Sequence, residues 1–386
     1  MKILIINSHT LYLKSTLPVA IECLRNGWEV TFCREKFRLS KYIKKKNFVK
    51  YIVENPTSVE IINIDSLLYV SKIIGIEDDL KKYIKKIKFS YSAILRQSRY
   101  DKVIATIKNR DLVTNKKNSV LVGYEHLPII ACFKKTSCSN KSDINKSSIF
   151  FNSNEFSEDH NFKKIFSNIN VVLNSYTYLD KVSQCINDKK YSKDNRVLIF
   201  HPGGYRDVIS SYGDDKITCY KSQEKFISEV CLPLIRNGFK PIIKIHPLRA
   251  KFHDYEDVVE ISQRILHKHE IEFDMIHVIK ADEWFWEDAF QSSFIMSFGS
   301  SAIYDLWSVG LKNVYVCNFF GRSRSDRFSY FESIFIDSSD DFEKLILSYK
   351  DKKNPKFDKF TLKIFQAYNK IFDGKSTERV MISLAG

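Results

Sequence analysis

No run of 18 or more consecutive apolar residues occurs in this chain of 386 residues, so no membrane-spanning helix is expected. The opening MKILIIN has a lysine and a short apolar run, but polar Ser8-His9-Thr10 follows at once and no small-residue cleavage site appears. It reads as a first β-strand, and a cytoplasmic location, peripheral on the inner face of the membrane at most, is the expectation. The eight cysteines include no CxxC pair and no Cys/His cluster at zinc spacing, which argues against a structural zinc site and for free buried thiols in a reducing compartment. Aromatic residues are not scarce: at 14% they exclude a disordered composition. No internal repeat of fixed period is visible.

Acidic residues are in deficit, 46 against 61 Lys and Arg, giving a formal charge of +15. Such a balance suits an anionic partner, and it equally suits the Lys-, Ile- and Asn-rich composition of an AT-rich genome. No motif interleaves glycine and aromatics at nucleic-acid-binding spacing, so no nucleic-acid partner is expected. Lys44-Lys45-Lys46 and Lys81-Lys82 with Lys85-Lys86 read as solvated faces that could also seat the protein on anionic membrane.

The length exceeds what one core usually organises. In the first half, short β-branched or apolar runs at 2–6, 28–33, 59–64, 102–106, 119–123 and 170–174 alternate with helical patterns, notably 15–26, closed by Gly27, and 77–97. Residues 134–160 are Ser-, Asn- and Lys-rich and read as a mobile loop. The polar stretch 187–195 reads as a linker. A second series then follows, with strands at 197–201, 241–246, 275–279, 293–298 and 313–317, and helices near 222–237, 254–270, 284–291 and 301–309. The expectation is an α/β protein of two tandem Rossmann-like, doubly wound domains facing across a cleft, 1–186 and 196–386, the latter carrying C-terminal helices.

Ligands of open parallel sheets sit beyond the carboxyl ends of the strands. Three motifs of the second half fall there. His201-Pro202-Gly203-Gly204-Tyr205-Arg206 lets main-chain amides approach an anion at Gly203 and Gly204, with Arg206 as a phosphate partner; a tight turn explains the glycines equally well. In Lys244-Ile245-His246-Pro247-Leu248-Arg249, the proline fixes the backbone after a histidine able to donate to a phosphate oxygen, and Lys244 or Arg249 supplies charge. Ser297-Phe298-Gly299-Ser300-Ser301 precedes a helix, whose free amides the serines could cap or share with an anion.

Strand-His-Pro, an acidic-aromatic helix (Trp284-Phe285-Trp286-Glu287-Asp288) and strand-SxxSS-helix closed by Val309-Gly310 together resemble the C-terminal half of GT-B fold glycosyltransferases. The resemblance covers roughly 196–320. It is greatest to bacterial enzymes of surface-polysaccharide assembly: sialyl- and polysialyltransferases, capsular Kdo transferases and CDP-glycerol glycerophosphotransferases. In those families the histidine of the His-Pro pair and the serine pair hold the phosphate of a cytidine nucleotide, which implicates His246, Pro247, Ser300 and Ser301, with Glu287 on the intervening helix. The aspartate often found ahead of the serine pair is absent here. In the first half, Tyr124-Glu125-His126-Leu127-Pro128 resembles the strand-HGxP element of the glycerophosphotransferases, with Leu127 in place of glycine.

The activity so implied is transfer of a sugar from a nucleotide-activated donor, a sialic-acid-like or Kdo-like CMP-sugar, to a glycan or lipid-linked glycan of the bacterial surface. Inversion needs a base for the acceptor hydroxyl, and Glu125 or His126 is the candidate; both could instead cap the next helix. Ser8 and His9 are expected to line the acceptor site, and Arg322, in a basic loop, to meet a donor carboxylate or phosphate or simply to face solvent. No Asp-x-Asp pair stands at a strand end, so no metal and no cofactor are expected; basic side chains and helix dipoles would neutralise the leaving phosphate. Rival readings are a UDP- or GDP-sugar transferase, a glycerophosphotransferase, a nucleotide-sugar epimerase of the same fold, and a non-catalytic bilobal binding protein.

Overall fold

The structure, a computed structural model, describes residues 1–7, 10–33, 62–90, 93–106, 113, 118–122, 148–151, 171–173, 176–188, 191–201, 223–245, 254–298, 300, 302–317, 334–353, 355–359, 361–362, 365–366 and 372–386. The chain divides into two compact units, Met1–Asp188 with Ala367–Gly386, and Lys189–Gln366.

The first unit holds a seven-stranded sheet: β1 (Lys2–Ile6), β2 (Glu29–Cys33), β3 (Lys88–Ser90), β4 (Lys102–Thr106), β5 (Ser119–Val122), β6 (Ser148–Phe151) and β7 (Val171–Leu173), in the order β3-β2-β1-β4-β5-β6-β7. Every pairing is parallel. Ile3 to Ile6 are fully buried, as a strand covered on both faces requires, which is why β1 is an unbroken apolar run. The helix Leu13–Arg25 buries Leu17, Ala20, Ile21 and Leu24. It ends at Gly27, whose φ of +73° an L side chain rarely adopts.

Three expectations are corrected in this unit. The segment expected as a strand over 59–64 is, in its described residues 62–64, the lead-in, cap and first residue of the helix Ile64–Ile73. Asn63 caps it by accepting the Ser66 N–H at 2.8 Å while Ser66 Oγ accepts the Asn63 N–H at 3.4 Å, a reciprocal pair that outweighs the β-branched isoleucines. The helix expected over 77–97 breaks into the helix Glu77–Tyr83, a 3-10 turn and the edge strand β3. The stretch expected as a loop over 134–160 contains β6, paired on both sides.

The second unit holds six parallel strands, β8 (Arg196–Phe200), β9 (Lys240–Lys244), β10 (His277–Ile279), β11 (Phe294–Ser297), β12 (Val314–Cys317) and β13 (Phe335–Ile336), ordered β10-β9-β8-β11-β12-β13. Its core joins the inner faces of β8, β9 and β11 to Val230, Leu234, Ile261 and Leu266 of the covering helices.

The last helix, Ser376–Ala385, belongs to the first unit, whereas the sequence places it with the second half. Asp180 explains why: its carboxylate accepts the N–H of Ser376 at 3.0 Å and of Thr377 at 2.7 Å, satisfying two free amides of that helix. Val380 and Leu384 are fully buried, and Met381 meets Cys23 of the first helix at 3.7 Å. Among the described residues no helix is long and apolar enough to cross a membrane.

Candidate functional site

In the second unit, chain progression reverses between β8 and β11, since β9 and β10 lie to one side and β12 and β13 to the other. Loops leaving such a switch point diverge and open a crevice at the carboxyl ends of the strands. The three motif-bearing strands, β9, β8 and β11, are neighbours there. With strands about 4.8 Å apart, the ends of β9 and β11 lie about 10 Å from each other, with β8 between them.

His201 closes β8. It is 2% exposed, its N–H donates to the Lys244 carbonyl at 3.0 Å, and its ring stands edge-on to Phe226 at 5.2 Å. Phe226 in turn meets Phe298, just past β11, at 5.7 Å. The imidazole thus sits inside the wall of the carboxyl edge, where the sequence quotes it in a motif but gives it no part.

Lys244 corrects an expectation. Its side chain is 3% exposed, and Nζ donates to the carbonyls of Lys280, Ala281 (3.0 Å) and Glu283 (3.0 Å), with the Phe285 ring centroid 5.8 Å away. Those three acceptors match the three donors of an ammonium, so its charge is spent on the loop after β10 and not on a ligand phosphate. Phe285 packs edge-on against Phe200 at 5.3 Å and stacks on Trp286 at 4.9 Å. Lys244 therefore fixes the start of the helix Trp286–Gln291, which carries Glu287, exposed in its first turn.

Ser300 behaves as a cap. Its N–H donates to Ser297 Oγ at 3.0 Å, and its own Oγ accepts the Ala302 N–H at 3.3 Å, at the entry of the helix Ala302–Ser308. Ser297 is fully buried.

The remaining candidates, Ser8, His9, Glu125, His126, Gly203, Gly204, Arg206, His246, Pro247, Arg249, Ser301 and Arg322, lie outside the described residues. Their strands are described. Ile245, immediately before His246, is fully buried and donates its N–H to the Ile279 carbonyl at 3.1 Å. In the first unit the progression reverses between β1 and β4. Asn7, at the end of β1, is 3% exposed and donates through Nδ2 to Thr16 Oγ1 at 2.8 Å, tying the loop before Ser8 to the first helix. The sequence offered its place after β1 as a signal, but not its burial. Among the described residues no group of three His, Cys, Asp or Glu side chains converges as a metal site.

No protein-family model and no curated protein matches this sequence. Solved structures do share its fold. The wall teichoic acid polymerase TagF aligns at a TM-score of 0.51 and 10% identity, covering 100% of this chain and 88% of its own. A putative UDP-N-acetylglucosamine 2-epimerase from Listeria monocytogenes aligns at 0.50 and 13% identity, covering 99% and 95%. With its two parallel-sheet units, the chain has the tandem Rossmann-like GT-B fold.

Proposed function

We propose that this protein is a glycosyltransferase that moves a sugar from a nucleotide-activated donor to a glycan or lipid-linked glycan acceptor. The observation that carries the reading is the adjacency of β9, β8 and β11, each followed at its carboxyl end by a phosphate-type motif, at the switch point of a GT-B fold. A span of about 10 Å between the outer two suits the phosphate of a nucleotide held from both sides.

In this reading His246 and the amides near Ser300 and Ser301 take the negative charge that grows on the leaving phosphate, with Gly203, Gly204 and Arg206 closing the third side. Lys244 acts by holding the neighbouring loop. Glu125 or His126 removes the proton of the acceptor hydroxyl as it attacks the anomeric carbon, and the nucleotide departs from the opposite face, inverting that carbon. The chemistry favours a CMP-sugar of sialic-acid or Kdo type, without a metal.

His246→Ala is expected to lower turnover about 100-fold or more while leaving the melting temperature unchanged, as loss of one donor to a developing charge does elsewhere. Full activity in that variant removes the central argument. Thermal shifts with CMP, CDP, UDP and GDP identify the donor base, because a ligand of the folded state raises its stability. The fold shared with a putative epimerase favours one second reading, conversion of a nucleotide sugar without an acceptor. That activity would release an altered sugar from donor alone.

A further inference from the structure

The opposite edge of the second sheet is also shaped. A concavity of about 900 Å³ opens at the amino ends of the strands, where Asn195, Phe239, Ser293 and Asn313 lead into β8, β9, β11 and β12. A strand of this length places it about 15 Å from the carboxyl edge, so it is separate from the donor site. Its volume is that of a ligand pocket.

Four exposed lysines line it: Lys193, Lys312, Lys350 and Lys352. The acid among the lining residues, Asp194, is already engaged, with Oδ1 accepting the Arg196 N–H at 2.9 Å and Oδ2 meeting Arg196 Nε at 2.9 Å. Among the described residues Lys193, Lys312 and Lys352 form no ion pair, and Lys350 reaches only the Asn237 side chain at 3.4 Å. Three helices end nearby, at Arg236, Ser308 and Lys350, and each terminus brings at most about half a negative charge. Against four ammonium groups that leaves roughly two and a half positive charges without a counterion among the described residues.

The aromatic part of the wall is rigid. Tyr349 stacks on Phe294 at 4.6 Å and its hydroxyl meets that of Tyr315 at 3.0 Å. Phe357 stacks on Tyr315 at 5.7 Å. Both Tyr349 and Phe357 are half-buried, leaving ring surface toward the concavity. A fixed aromatic shelf beside a group of cations suits a ligand with apolar faces and regularly spaced negative charge.

We propose that this amino-edge concavity binds an acidic oligosaccharide, with Lys193, Lys312, Lys350 and Lys352 taking its carboxylates and Tyr349 and Phe357 packing against its sugar faces. The choice of a saccharide rests on the glycan-transfer reading; the site itself rests on the geometry. Such a site would retain an acidic glycan on the enzyme while its growing end is elsewhere.

Calorimetric titration of the full chain without donor tests this, so a failure here is distinguishable from a failure of the transfer reading, which shows in donor turnover. Tetragalacturonate is expected to bind the wild type, and Lys312→Gln/Lys352→Gln to weaken that binding about tenfold at unchanged melting temperature, as loss of two charge contacts allows. Maltotetraose, of equal length and uncharged, is expected to show no heat. Equal affinity in wild type and variant, equal binding of maltotetraose, or no binding of tetragalacturonate overturns the proposal. So does tighter binding of tetrathymidylate, which would make the ligand a nucleic acid.

Discussion

Lys244 shows how a cation at a strand's carboxyl end can belong to the scaffold. Its three carbonyl acceptors lie in one loop; that of Lys280 also accepts the Glu283 N–H at 3.2 Å, and the contact to Ala281 is the buried one. Lys244→Met is therefore expected to cost about 2 kcal/mol of stability, because the buried Ala281 carbonyl loses its ammonium donor. Urea denaturation measures that loss, and unchanged nucleotide affinity in the surviving folded fraction separates the anchoring role from a phosphate contact. An unaltered urea midpoint with weakened nucleotide binding would restore the ligand role. Ser300 poses the same choice between cap and ligand, and the geometry present is that of a cap.

At the scale of elements, the last helix of the first unit depends on one acid. Burial pushes the Asp180 carboxyl above its ordinary value of 3.8, against the downward pull of the Thr377 and Ser376 amides. The folded-state value is raised, so as pH rises the unfolded chain ionises first and folded Asp180 holds its proton longer. Its contribution is thus fully present below 3.8 and is lost as pH rises through the raised value. Asp180→Asn keeps an acceptor without the charge. The stability of the wild type relative to that variant should fall across this window, as urea midpoints at successive pH values would record; a rise in the same window would reverse the sign. Gly374, with φ of +74° and its missing Cβ 2.8 Å from Ser183 Oγ, makes any larger side chain strained at the approach to the same helix.

For the molecule as a whole, two units with separate sheets and separate cores imply more than one unfolding event. Scanning calorimetry is expected to give a profile broader than one two-state transition. The nucleotide identified by thermal shift should move only the component belonging to Lys189–Gln366. A single transition that moves as a whole with nucleotide would show the two units unfolding as one. Because the final helix returns to the first unit, removal of residues 367–386 should lower the transition of that unit.

The sequence by itself determined the alternation of strands and helices in the second unit and the order of its motifs. β8, β9 and β11 are centred on apolar residues (Val197 to Phe200, Ile242 and Ile243, Phe294 to Met296) because both faces are covered, and that signal survives without any knowledge of neighbours. It did not determine β3, three half-exposed residues at a sheet edge, or β6, four residues in a polar stretch, since both are strands only because a partner strand arrives from far along the chain. Nor did it separate Lys244 as an anchor from Lys244 as a ligand contact: a lysine's part depends on which carbonyls the fold brings to it, and those lie 36 residues or more away. The lysines of the amino-edge concavity were likewise scattered between Lys193 and Lys352 in sequence. Only the packing of helix ends beneath the sheet gathered their charge in one place, because local pattern fixes an element while long-range contacts decide what its side chains meet.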